Sequence, residues 1–153
     1  MRIQILLISP TKDAHIRALE AEYEKRLQAF AKLETLTLPA SKRDERTAVQ
    51  EEELKNFLPK IDTNAFLIAL DERGTQLTSE DFAQCLAKIR DFGPGKIQFL
   101  IGGSHGLHPD LLAAAHQRLS FSKMTFTHEM IRVFLKEQVY RAFTILAGKK
   151  YHK

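Results

Sequence analysis

Apolar and polar positions along this chain fall into two rhythms. Short apolar or alternating runs at Arg2–Ser9 (RIQILLIS), Leu33–Leu38 (LETLTL), Ala65–Leu70 (AFLIAL) and Ile97–Ile101 (IQFLI) predict strands. Between them the apolar positions recur in steps of three and four, the spacing of one helix face. The first such stretch, Asp13 to Ala31, places Ile16, Leu19, Tyr23, Leu27 and Phe30 on one side. Further helices are predicted over Thr47–Leu58, over Ser79–Asp91 with Ser79 as its cap, and over Pro109–Arg118. A last short strand is expected at Arg118–Phe121, then a long helix over Glu129–Ala147 that Gly148 closes. DERG (Asp71–Gly74) and FGPGK (Phe92–Lys96) read as turns, and SKRDERT (Ser41–Thr47) as a polar connection.

Strands that alternate with helices, and are themselves nearly unbroken apolar runs, imply a mostly parallel α/β sheet with helices on both faces. No repeat, low-complexity tract or linker divides residues 1–153, so a single domain is expected. The last helix departs from the usual one-sided pattern. Met130, Ile131, Phe134, Val139, Tyr140 and Phe143 are spread over much of its circumference, which points to burial under the sheet or against a second copy of the chain.

Composition narrows the class. With 44% hydrophobic and 27% charged residues the chain is of the soluble globular kind, and its lone cysteine, Cys85, excludes an internal disulfide. No apolar run approaches the roughly 18 residues that span a membrane. The opening MRIQILLISPTKD reads as a strand and not as a leader, so a cytoplasmic protein is expected. Charge is unevenly placed. From Lys123 to Lys153 seven basic residues face two acidic ones, whereas the preceding 122 residues carry sixteen basic and seventeen acidic. A basic end of this kind suits a polyanion, most simply nucleic acid.

Candidate chemistry gathers at FLIGGSHGL (Phe99–Leu107), where an apolar strand runs into three glycines within five positions. In parallel sheets ligands bind at the carboxyl ends of strands, which directs attention to the ends near Leu70, Ile101 and Phe121. The chain lacks both the dinucleotide-binding and the Walker A glycine patterns, and its six histidines show no metal-ligand spacing. Ser104 and His105 are adjacent, an arrangement that rarely makes a nucleophile and its base, and no nucleophile elbow surrounds them. What remains is a ligand held largely by main chain, or a tight turn that needs glycine for its own geometry.

Taken in order, the Leu70–Asp71 strand end, LIGGSHGL (Leu100–Leu107), LSFSKMTFTHEMIRVFLKEQVYRA (Leu119–Ala142) and the closing YHK carry a resemblance. Over essentially its whole length the chain resembles the small bacterial SPOUT methyltransferases that methylate N3 of a pseudouridine in large-subunit (23S) ribosomal RNA. That resemblance implies a C-terminal trefoil knot, a homodimer and S-adenosylmethionine as methyl donor, with no metal. Its cofactor contacts would fall on Leu70, Gly103, Ser122, Lys123, Met124, Thr125, Phe126 and Thr127. Catalytic candidates are His152 with Tyr151 in the tail, then His128, and His105 after them, since histidine is the natural base near neutral pH. RNA would meet Arg132, Arg141, Lys149 and Lys150, and the substrate would be an assembled large subunit or ribosome recognised by shape. Arg132 and Arg141, nine residues apart, lie on opposite sides of one helix, so both could line one site only across a two-fold interface. The sequence departs from many relatives at Thr127, where they have proline before the histidine, and at Lys150, where they have proline before Tyr-His. Two rival readings remain: a SPOUT enzyme with another RNA target, and a non-catalytic ribosome-binding protein.

Overall fold

A computed structural model describes residues 1–151. Five strands, β1 (Arg2–Ile8), β2 (Lys32–Leu38), β3 (Phe66–Gln76), β4 (Lys96–Ile101) and β5 (Gln117–Ser120), pair in parallel in the order β2-β1-β4-β3-β5. The helices between them are α1 (Ala14–Leu27), α2 (Arg46–Phe57), α3 (Ser79–Asp91) and α4 (Pro109–Ala114), with α5 (His128–Leu146) at the end. The connections through α1 and α3 each step to the left in this order and those through α2 and α4 step to the right. Right-handed crossovers therefore place α1 and α3 on one face of the sheet and α2 and α4 on the other.

The core divides accordingly. Ile3, Ile5 and Leu7 of β1 pack with Phe99 of β4, Leu27 of α1 and Leu86 of α3; the alternate residues Leu6 and Ile8 pack with Phe57 of α2 and Leu111 of α4. That two-sided burial is why the strands read as unbroken apolar runs. Helix α5 lies between α1 and α3 and closes the first face with Leu135, Val139, Ala142 and Phe143.

Several boundaries differ from the sequence reading, each for a local reason. The cap of α3 is Thr78, which accepts the Asp81 amide; Ser79 instead donates to Gln138 of α5. Helix α4 stops at Ala114 because His116 returns to the sheet, its amide on the Leu67 carbonyl and its Nδ1 accepting from the Leu67 amide. The DERG segment is an interruption inside β3, not a terminating turn. Leu119 of β5 pairs first with Leu70 and then with Thr75, so Asp71–Gly74 bulge out between them. Gly74 lies so close to β5 that a Cβ there would sit 2.7–2.8 Å from the Arg118 and Leu119 backbone.

A second feature was not visible in the apolar pattern. Arg132 and Lys136 of α5 are fully buried. Lys136 Nζ contacts Glu20 at 2.6 Å and Glu24 at 2.7 Å, while Arg132 donates to the Ile8 carbonyl at 2.6 Å and to Thr11 Oγ1 at 2.7 Å. Thr11 in turn donates to Glu20 at 2.6 Å. Glu20 and Glu24 on α1, four residues apart, face Arg132 and Lys136 on α5, also four apart: a ladder that joins the two helices to the end of β1.

Candidate active site

Strands β4 and β5 end beside the bulge that interrupts β3, so three stretches share one edge of the sheet within about 10 Å. The first is the β3 bulge, from half-buried Leu70 to Gly74, braced by an ion pair between Asp71 and Arg118. The second is the glycine loop, Gly102–Leu107. The third is Phe121–Thr127, tied to the bulge where Thr125 donates to Glu72 at 3.3 Å.

The glycines have reasons inside their own loop. A Cβ on Gly102 would lie 2.6–2.9 Å from the backbone of Gly106 and Leu107, and one on Gly103 would lie 3.0 Å from a Glu53 carboxylate oxygen. Gly106 has φ of 74°, a conformation that side chains strain. The turn's geometry therefore accounts for the run, and the bare backbone it leaves is a consequence. Ser104 is exposed and makes no hydrogen bond to His105 among the described residues, which leaves a serine-hydrolase reading without its pair.

The third stretch is the most open. Lys123 to Thr127 are all exposed; Met124 is 73% exposed and Phe126 38%. Ser122 Oγ accepts the Met124 amide at 2.9 Å, the edge of Phe126 meets Phe134 with centroids 5.1 Å apart, and Thr127 caps α5 by accepting the Met130 amide. Two apolar side chains held outward among hydroxyls and main-chain groups suit a ligand with a flat ring and polar ends, as S-adenosylmethionine has. No group of His, Cys, Asp or Glu among the described residues could hold a metal ion. A polar cavity of about 450 Å³ lies at the opposite end of the sheet, lined by Gln4, Lys60, Asp62 and Lys96, away from the strand tips.

His128 begins α5 directly after this stretch and is half-buried. Burial, and then the charge of Arg132, hold its pKa below the ordinary histidine value, so near neutral pH it is an uncharged acceptor. Tyr151 is not at the strand tips. Its hydroxyl meets Glu137 at 3.2 Å and its ring meets Tyr140 at 4.9 Å, about 13 Å along α5 from the helix start. Burial, then hydrogen bonds with Tyr23 and Glu137, keep the phenol protonated well above its usual range. His152 lies outside the described residues.

Of the four basic residues expected at RNA, Arg132 is corrected. It is fully buried between α5 and the end of β1, clamping the Ile8 carbonyl and Thr11, and reaches no surface phosphate. Its Nε has no hydrogen-bond partner among the described residues, and burial pulls its pKa down. Arg141 is partly exposed, paired with Glu137 at 2.6 Å and placed over the Tyr151 ring. Lys149 and Lys150 are exposed after the helix, Lys149 above the Phe30 ring. Part of the charge excess at the C-terminal end is thus internal, since Arg132 and Lys136 both face inward.

A family model described as "Predicted SPOUT methyltransferase" matches residues 1–152. The chain belongs to the SPOUT methyltransferase family. Curated relatives named "Ribosomal RNA large subunit methyltransferase H" match end to end. The protein from Desulfotalea psychrophila is 45% identical over 153 residues, and that from Bacillus pumilus 40% over 159, with 100% of each chain covered. Among solved structures, a probable methylase family protein from Haemophilus influenzae shares the fold with a TM-score of 0.60 at 20% identity, over 99% of this chain and 70% of that one. A probable methyltransferase from Bordetella pertussis gives 0.52 at 9% identity, over 93% and 96%.

In this SPOUT chain the residue that sequence reasoning missed is Glu53. It is only 5% exposed on α2, its carboxylate lies against Gly103, and the Gly103 and Ser41 amides favour its charged form. Burial nevertheless dominates and pushes its pKa up. Gln50, one turn earlier, donates to the carbonyls of His105 at 2.9 Å and Leu107 at 3.2 Å. Spacing offered one clue: Val49, Glu53 and Phe57 recur every fourth residue along the face that α2 buries.

Proposed function

We propose that this protein transfers the methyl group of S-adenosylmethionine to N3 of a pseudouridine in 23S ribosomal RNA, on the assembled large subunit or ribosome, in the cytoplasm. The observation that carries the reading is the outward-facing Ser122–Thr127 stretch beside Leu70 and Gly103 on three adjacent strand ends. It occurs in a chain that matches, end to end, proteins named for large-subunit ribosomal RNA methylation. The trefoil threading of the C-terminal segment and S-adenosylmethionine as donor come with the family.

The donor supplies a methyl carbon that is already electrophilic, so the protein's own tasks are to bind, align and accept a proton. Met124 and Phe126 offer apolar surface, while Ser122, Thr125 and Thr127 set the loop through their hydroxyl bonds. Alignment of this kind contributes about 7–11 kcal/mol in favourable cases. A general base adds roughly 10²–10⁴ in rate. His128, held neutral beside the loop, and His152 of the tail are the two acceptors.

The tail's position favours a site shared between two copies. Tyr151 is anchored at mid-α5, remote from its own strand tips, so it would serve the partner's tips in a homodimer. Deleting Tyr151–Lys153 is expected to abolish turnover while sparing cofactor binding. Mixing that deletion with a Phe126→Ala variant is expected to restore activity through hybrid dimers; no restoration would refute the shared site. The function itself is tested by incubating unmethylated ribosomes with labelled donor and digesting the RNA to nucleosides. Label in N3-methylpseudouridine of 23S RNA is expected, and label in another nucleoside would replace the target.

A further inference from the structure

The β2–α2 connection carries Ser41-Lys42-Arg43 and leaves the sheet at the same edge as the strand tips, since Leu38 pairs with Ile8 and Ile101 with Leu7. Lys42, Arg43 and Arg46 are exposed, three cations against the equally exposed Asp44 and Glu45. Their backbone is set by short bonds: Ser41 Oγ accepts the Arg43 amide at 3.1 Å and donates to Glu52 at 2.7 Å. Glu45 is occupied in capping α2, through the Thr47 and Ala48 amides. Arg43 meets Glu52 at only 3.5 Å with its side chain 67% exposed, a pairing that a phosphate can displace. Lys42 has no ion pair among the described residues.

One face of α2 joins this basic loop to the glycine loop. Ser41, where the basic loop starts, donates to Glu52, the Glu53 carboxylate lies against Gly103, 3.0 Å from where a Cβ would stand, and Gln50 holds the carbonyls of His105 and Leu107. The two loops are therefore set against one another through α2.

We propose that Lys42 and Arg43 grip phosphates of the RNA substrate beside the glycine loop, and that Glu53, packed against Gly103 on the helix that also binds Ser41, holds this grip in register with the strand tips. The proposal rests on the RNA methyltransferase reading. It adds a second phosphate-binding strip, built from the N-terminal half of the chain, to the exposed Lys149 and Lys150. Phosphate contacts of this type set the register of a nucleic acid on a protein without reading its sequence.

The test compares wild type, Lys42→Ala/Arg43→Ala and Glu53→Gln by ribosome co-sedimentation across a salt series, S-adenosylmethionine calorimetry and thermal unfolding. The double variant is expected to bind ribosomes about ten- to a hundredfold more weakly near 0.1 M salt, with the slope of log affinity against log salt reduced by about 1.5–2. Its cofactor affinity and melting temperature should match wild type. Glu53→Gln keeps the shape and loses the charge, and is expected to weaken both ribosome and cofactor binding. Wild-type ribosome affinity and salt slope in the double variant would overturn the grip. A Glu53→Gln protein that melts lower yet binds both ligands normally would reduce Glu53 to a structural role and overturn the register claim. Failure of wild type itself to bind or methylate ribosomes would instead overturn the reading beneath the proposal.

Discussion

Replacing Lys136 with methionine isolates the buried ladder between α1 and α5. Methionine keeps most of the side-chain stem and its packing, so the change reports chiefly on the lost ammonium. Lys136 is fully buried and contacts two carboxylates that differ in exposure: the Glu20 side chain is 12% exposed and Glu24 39%. The Glu24 contact, reachable by water, contributes at most about 1 kcal/mol. The Glu20 contact is a charged hydrogen bond in a nearly dry setting, of the order of 1.5–3 kcal/mol. Removing the cation also leaves Glu20 with Thr11 as its remaining hydrogen-bond partner, at 2.6 Å. The expected loss is about 2–4 kcal/mol, a large share of the roughly 5–15 kcal/mol typical of a whole domain. Urea unfolding monitored by circular dichroism measures it. A Lys136→Met protein within 0.5 kcal/mol of wild type would refute the claim that this ladder stabilises the packing of α5.

Three further outcomes follow. Gly74→Ala forces a methyl group into the Arg118–Leu119 backbone and should cost about 1–3 kcal/mol, read by urea unfolding; full stability would show that the bulge yields freely. His128 has its folded pKa lowered, so the unfolded chain takes up its proton first as pH falls, near 6.5. The stability it contributes is present above that pH and declines as pH falls below it, and His128→Gln should flatten this part of the urea-midpoint profile; an unchanged slope would contradict the assignment. Tyr151→Phe removes the Glu137 hydrogen bond and keeps the ring stack, so unfolding should shift by about 1 kcal/mol or less while tail-dependent turnover falls; equal turnover would separate the hydroxyl from catalysis.

Much of the scaffold was legible in the sequence because its signals are local. Two-sided burial writes itself as apolar runs such as FLI, and amphipathic spacing located all five helices to within a few residues at most ends. The ends of β4 and β5 were legible for the same reason, since parallel strands share the edge at which ligands bind, whereas the strand expected to stop at Leu70 resumes after its bulge and runs to Gln76. What stayed hidden depends on contacts between distant segments. The Asp71–Gly74 bulge exists because Gly74 meets β5 more than forty residues later in the chain. Arg132 looked like a surface cation because arginine usually is one; only the approach of β1 and α1 shows what it holds. Glu53 sits in an acidic run that reads as solvated helix, and its role appears only when the Gly103 and Ser41 loops arrive on either side.

The central claim, that the ends of β3, β4 and β5 form the cofactor site, is tested most directly by calorimetric titration with S-adenosylmethionine. Wild type and a Met124→Ser/Phe126→Ala variant would be compared, alone and with ribosomes present. Met124 is exposed, and Phe126 loses chiefly its edge contact with Phe134, so the variant should melt within about 5 °C of wild type. The account predicts one saturable site per chain in wild type and at least tenfold weaker binding in the variant. No wild-type binding under either condition, or equal binding by the two proteins, would contradict it.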